Sequence, residues 1–308
     1  MSGRTWFTRS ALAAAVLGLA AAGLPASAVA EPDVLAAGGG HGADFTGDGR
    51  PDILAREKGT GKLKVYPHSG TVNGTATYPT AVTINLGWGG MRWIGAMDLT
   101  GDGFADVVAI DQNWRMVVAV HSGTFNGTNT LTPGLVVVGY NWNVNNFVSV
   151  TGNSTLLARR ASDGEIFTYG SSGLNGTATF DAPTKPQTTQ RERHDNDLFI
   201  SAGMLGSTNG AFLFVGPGGE LYAWDTFVGT NQRRTFGEGW HTVDSYVLTD
   251  LNEDGKEDLI ARNKATGELW AYLHSGVNPW PQMGPGPEPV YPTRITIGYG
   301  WLTNDIIT

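Results

Sequence analysis

The segment Asp44-Phe-Thr-Gly-Asp-Gly-Arg-Pro-Asp52 decides the reading of this chain, together with its echoes Asp98-Leu-Thr-Gly-Asp-Gly-Phe-Ala-Asp106 and Asp250-Leu-Asn-Glu-Asp-Gly-Lys-Glu-Asp258. Their starts lie 54 and then 152 residues apart, and the second interval is close to three of the first. Two degenerate copies are therefore expected between them, and a period of this size marks a repeat architecture.

Outward from each loop runs an apolar strand, a tight turn and a second strand, as in Ile53-Leu-Ala-Arg56 followed by Leu63-Lys-Val-Tyr66. The unit recurs at Val107–Ala109 with Met116–Val118, Leu156–Arg159 with Ile166–Tyr169, Phe212–Phe214 with Leu221–Trp224, and Leu259–Arg262 with Leu269–Tyr272. A third apolar run follows (Val82–Leu86, Leu135–Val138, Ile295–Ile297), then a fourth that leads into the next loop (Trp93-Ile94, Phe147-Val148, Tyr246–Leu248). With 44 glycines punctuating short Val/Ile/Leu/Tyr/Trp runs, the chain reads as all-β. Four short strands per repeat of this length make a propeller blade.

Trp88 and Trp240 each precede the first Asp of the next loop by ten residues, and Trp301 keeps that phase, so the chain stops close to where its first repeat begins. The expected fold is a β-propeller of five blades with four antiparallel strands each, one domain over residues 31–308. Its ring is closed between the ends of the chain, the Ile306-Ile307 strand joining the first blade and leaving no free sheet edge. An open array of stacked repeats is the alternative, but it would want polar end caps that the sequence does not show.

Residues 1–30 read as an export signal, with Arg4 and Arg9 flanking a charged start, an Ala/Leu/Val run to Leu24, and Ala28-Val29-Ala30 before the mature start near Glu31. The remainder holds no apolar run long enough to span a membrane, so a secreted, extracellular and monomeric protein is expected. The formal charge of −8, made more negative by loss of both arginines, argues against nucleic acid as a partner because phosphate binding needs a basic face. There is no cysteine, so stability must come from core burial, bound metal or both.

In the pattern D-x-[TN]-x-D-G-x-x-D, positions one, three, five and nine carry side-chain oxygens and position seven offers a backbone carbonyl. The candidate ligands are Asp44, Thr46, Asp48, Arg50 (carbonyl) and Asp52; Asp98, Thr100, Asp102, Phe104 (carbonyl) and Asp106; and Asp250, Asn252, Asp254, Lys256 (carbonyl) and Asp258. An oxygen-only set suits a hard cation with flexible coordination, calcium (Ca2+) before magnesium. These are not EF-hands, whose twelfth-position Glu is Ala55, Ala109 and Ala261 here. Asp/Gly-rich segments can be plain turns, but three in repeat phase favour metal. Three calcium sites are expected, with affinities on the order of 10⁻⁴ to 10⁻³ M. Blades three and four are expected to be empty. The third repeat is five residues short between Trp142 and Ala158, and Gly206–Gly210 carries no acid.

The loops, the L-x-A-R and G-E-L-W-A-Y strands and the G-x-G-W turn resemble the FG-GAP/VCBS repeats of secreted bacterial proteins. The resemblance implies a calcium-binding propeller related to the integrin α-subunit head, with calcium in the loops at 44–52, 98–106 and 250–258. Thr46 and Thr100 stand where Asn or Asp is more usual, which weakens ligation. The resemblance leaves activity open.

His68, His121 and His274 recur in His-Ser-Gly, with Ser171 in that place in repeat three, so a turn role is expected rather than catalysis. Most acids are committed to loops and turns. A noncatalytic binding module for carbohydrate or a cell-surface polymer is thus the expected function, with a polysaccharide hydrolase or lyase and a protein-binding adhesin or scaffold as alternatives. Candidate ligand contacts are Trp88, Trp142, Trp240 and Trp301, which either stack on sugar faces or plug the space between blades. Asn141–Asn146 and Pro279–Pro292 are either groove linings or spacers.

Overall fold

A computed structural model describes residues 36–37, 40–41, 43–151, 155–185, 198–203, 211–225, 233–276 and 290–308. The expected signal at 1–30, the 206–210 loop and residues 279–289 of the proline-rich stretch lie outside these. Five small sheets form a ring. Blade 1 is Asn304–Ile307, Ile53–Glu57, Leu63–Tyr66 and Val82–Asn85; blade 2 is Trp93–Met97, Asp106–Ile110, Met116–Ala119 and Val136–Gly139. Blade 3 is Asn145–Thr151, Thr155–Arg160 and Ile166–Tyr169. Blade 4 is Leu198–Gly203, Ala211–Val215, Leu221–Asp225 and Arg233–Gly237; blade 5 is Val243–Thr249, Asp258–Asn263, Leu269–Leu273 and Thr293–Gly298. Within every blade these strands pair antiparallel.

The second strand of a blade is packed on both faces by its neighbours, which is why it reads as an unbroken apolar run: Ile53, Leu54 and Ala55 are all buried, as are Val107 to Ile110. Blades are offset from the sequence repeat by one strand. The fourth apolar run of each repeat crosses to become the innermost strand of the next blade, so the last one, Asn304–Ile307, completes blade 1. It pairs Ile306 with Arg56 and Ile307 with Ala55, and Thr308 exchanges two backbone hydrogen bonds with Leu54. The ring closes as the phase of the tryptophans requires.

The five-bladed ring is as expected, and two features add detail to its blades. Among the described residues, blade 3 has three regular strands, its outer line reduced to the isolated bridges Thr168↔Thr184 and Ser171↔Phe180. Pro183, between the two bridges, explains this, since proline has no N–H for the ladder. The second is that the chain does not begin its sheet structure at the first loop. Ala36–Ala37 pairs in parallel with Phe147 and Val148 on the inner strand of blade 3, and Gly40–His41 with Val247 and Leu248 on the inner strand of blade 5. These two short pieces, Ala36–Ala37 and Gly40–His41, therefore lie against inner strands at the centre of the ring, where Ala36, Ala37 and Gly40 permit close backbone approach.

Tryptophans weld consecutive blades. Trp142 packs on Tyr169 at 5.2 Å between centroids, Trp240 on Tyr272 at 4.8 Å and Trp301 on Tyr66 at 4.3 Å, each ring reaching from one blade to the next. Among the described residues no helix is long and apolar enough to cross a membrane.

Candidate functional site

Each of the three loops is built the same way. The apolar residue at position two, Phe45, Leu99 or Leu251, is fully buried and anchors the loop. The Asp at position nine is buried too and serves as its hub. Asp52 accepts backbone N–H donors from Phe45 (2.9 Å), Thr46 (3.1 Å) and His68 (2.9 Å). Asp106 accepts from Leu99 (2.9 Å), Thr100 (3.1 Å) and His121 (2.8 Å), and Asp258 from Leu251 (3.0 Å) and His274 (2.7 Å). The first-position carboxylates close the turn: Asp44 accepts from Gly47 and Gly49, Asp98 from Gly101 and Gly103, and Asp250 from Asp254 and Gly255. Asp48, Asp102 and Asp254 at position five each accept the N–H of position seven. This path needs left-handed backbone at positions four and six. Gly47 and Gly49 supply it in blade 1 (φ 78° and 82°), whereas in blade 5 position four is Glu253 at φ 61°.

Burial lifts the Asp52 and Asp258 carboxyls to about 6, and that of Asp106 upward as well, against the lowering pull of their backbone donors. In two loops the seventh residue supplies a countercharge, Arg50 to Asp48 at 3.2 Å and Lys256 to Asp254 at 3.3 Å. Loop 98–106 has Phe104 there, stacked on His121 at 4.7 Å. Among the described residues, no three acidic or histidine side chains converge as a ready cage for a metal ion; the carboxylates face the loops' own amides. A carboxylate offers about four acceptor positions, and Asp52 and Asp44 each use three, so each keeps one open. An oxygen-only donor set of this kind fits a hard cation, which binds the carboxylates in their ionised form.

Ring closure makes blades 5, 1 and 2 consecutive, so the last loop in the sequence lies beside the first. Arg50 Nε donates to Glu253 Oε1 at 2.8 Å across the junction of blades 5 and 1. The Ala105 N–H donates to the Asp44 carbonyl at 2.7 Å, and Phe104 lies so close over Gly47 that a Cβ there would meet the ring at 2.4 Å.

The histidines belong to this scaffold. In His68, His121 and His274, Nδ1 accepts the N–H of the glycine two residues on, at 3.1, 3.0 and 2.9 Å, and in blade 3 the Ser171 hydroxyl accepts from Gly173 at 3.2 Å in the same way. The four tryptophans are buried, with 4%, 6%, 8% and 4% of Trp88, Trp142, Trp240 and Trp301 exposed. Their faces are taken up by blade junctions, which is the plugging alternative of the sequence reading rather than the stacking one. The exposed side chains stand two residues earlier: Leu86 at 59%, Tyr140 at 60% and Tyr299 at 67%. Sequence reading missed them, although the spacing to each Trp was visible.

Two inner-strand acids are held by the arginines of the L-x-A-R strands. Arg56 makes a two-point pair with Asp305 (2.8 and 2.9 Å) and donates to the carbonyls of Trp88 and Met91. Arg262 pairs with Asp244 at 2.7 Å and donates to the carbonyls of Trp301 and Asn304. Each arginine thus fastens a blade to the turn that leads into the next.

Loops, hub aspartates and strand order together form a recurring unit, and that unit has a counterpart among known families. Residues 44–109 match the FG-GAP-like repeat. The FG-GAP-like match takes in the first two loops and the strands between them, and the loop at 250–258 repeats much of their hydrogen bonding, with Asp250 accepting from position five in place of position four. No curated protein matches the chain. Among solved structures, a crystal structure of a nidogen/laminin complex matches with 11% identity and a TM-score of 0.41, covering 72% of this chain and 88% of that one.

Proposed function

We propose that this chain is an exported, noncatalytic binding module whose three acidic loops hold calcium and whose exposed blade turns engage carbohydrate. The observation that carries the binding reading is the recurrence of exposed apolar side chains, Leu86, Tyr140 and Tyr299, at one point of three blade turns. Such side chains offer flat or compact apolar surface to a sugar face. The described inner strands offer no pair of free acids for glycoside chemistry, which needs two carboxyls flanking the bond; Asp244 and Asp305 are held by Arg262 and Arg56. Calcium is supported by the shared loop geometry and by the oxygen-only donor set. When bound it would supply charge to the hub carboxylates, which would then stay ionised, while Asp44, Asp98 and Asp250 and their position-three and position-five neighbours would hold it.

A glycan array probed with and without calcium tests the binding reading, and reducing-sugar release from plant and microbial polysaccharides tests the enzymatic alternative. Retention of a glycan class with no sugar release is the expected result; turnover on any polysaccharide would overturn it. For the metal, a 10- to 100-fold excess of calcium over Kd stabilises by about 1.4–2.7 kcal/mol per filled site. An unchanged melting temperature on chelation rules out calcium as a structural ligand.

A further inference from the structure

Blades 2 and 3 meet at a cleft of about 240 Å³ lined by the turn Val138–Asn145 on one side and by Tyr169, Phe180 and Asp181 on the other. This volume is below the ~300 Å³ at which drug-sized pockets begin, which limits the occupant to about one ring. Three departures from the repeat coincide here. The first is Asn141, which stands in left-handed backbone (φ 62°, ψ 35°) where the matching turns use Gly87, Gly239 and Gly300. An L-residue held in this conformation costs stability and often marks a site. The second is Phe180. Its counterparts Tyr78 and Leu131 are buried, and the Tyr78 hydroxyl donates to the Pro51 carbonyl beneath the first loop. Blade 3 has a shortened loop, and Phe180 stays partly exposed at the cleft while packing on the cluster around Trp142. The third is Asp181, where the other blades have Pro79 and Thr132. Its carboxylate is exposed and makes no hydrogen bond or ion pair among the described residues.

We propose that this cleft binds a single neutral, hydroxyl-rich ring, the terminal residue of a glycan. The inference rests on the binding reading above and assigns it a place. Tyr140 and Phe180 supply apolar ring surface, Trp142 and Tyr169 form the floor, and Asp181 and Asn141 at the mouth take up hydroxyls. A purely apolar guest would desolvate the carboxylate without a partner, at a cost that vicinal hydroxyls avoid. No loop aspartate lines the cleft, so binding here does not depend on calcium.

The test uses the intact chain, with saturation-transfer NMR and calorimetry against glucose, galactose, mannose, N-acetylglucosamine and xylose, each in calcium and in chelator below the melting temperature. At least one sugar binds at millimolar concentration, with the same Kd in both buffers. Asn141→Gly relaxes the backbone, so its melting temperature is equal or higher while sugar affinity drops about tenfold; Asp181→Ala gives a comparable loss with its melting temperature unchanged. The proposal is overturned if none of the five sugars binds at tens of millimolar, or if binding survives both substitutions intact. Glycan-array binding that persists in both variants overturns this cleft alone and leaves the wider binding reading standing, whereas a silent array overturns both.

Discussion

Asp52 and Asp258 are carboxylates that hold their protons longer in the folded chain than in the unfolded one, because burial raises them to about 6. In chelator, the native state binds more protons than the unfolded state between about pH 4 and 6, so stability falls as pH rises through that window, by on the order of 2 kcal/mol per site. A bound cation lowers the native pKa and removes or reverses the slope. Melting curves from pH 4 to 7 in calcium and in chelator check the sign; a chelated protein that gains stability across the window contradicts the role given to burial. Arg56 is 2% exposed and bridges Asp305 and two carbonyls. Arg56→Ala should cost roughly 3–5 kcal/mol in a denaturant titration, since it strands a carboxylate and leaves carbonyls unpaired. Glu253 offers the opposite case. Its backbone is left-handed, and Glu253→Gly should stabilise by about 1 kcal/mol, with loss of the exposed pair to Arg50 mattering little.

The three loops share a template but differ in charge compensation. Loops 44–52 and 250–258 carry Arg50 and Lys256 against their fifth-position acids, while loop 98–106 carries Phe104. Of the three, loop 98–106 should fill first with calcium. Asp102→Asn should therefore remove the tightest phase of a calorimetric calcium titration, and Asp48→Asn a weaker one; the reverse order would show that ring stacking at Phe104 matters more than charge. Much of this loop was readable in advance, because acids at fixed spacing and Gly at position six are visible as a string. The left-handed requirement at position four was hidden, since Glu253 breaks the glycine pattern. Which of two nearby side chains faces inward, Trp142 or Tyr140, was also hidden, because spacing sets a phase and packing between blades decides which phase is covered.

Across the ring, closure was legible because Trp301 kept phase with Trp88 and Trp240. The central strands at Ala36–Ala37 and Gly40–His41 were not, since two-residue strands of small residues carry no periodicity and become strands only beside the inner edges of blades 3 and 5. Deleting residues 304–308 removes the innermost strand of blade 1 and with it the partner of Arg56. The expected result is loss of a single cooperative unfolding transition, read by calorimetry; a truncated chain that melts as before would place closure elsewhere.

The first and the last described strands both belong to the middle of the ring. Ala36–Ala37 and Gly40–His41 lie along inner strands, and Thr308 is hydrogen-bonded to Leu54 in the second strand of blade 1. A reporter or tag fused directly after Thr308 would thus emerge near the axis and crowd one mouth of the ring. Thr128 and Asn129, exposed in the Gly127–Asn129 turn of blade 2 and away from the inner strands, are the place to attach a label that leaves both mouths clear.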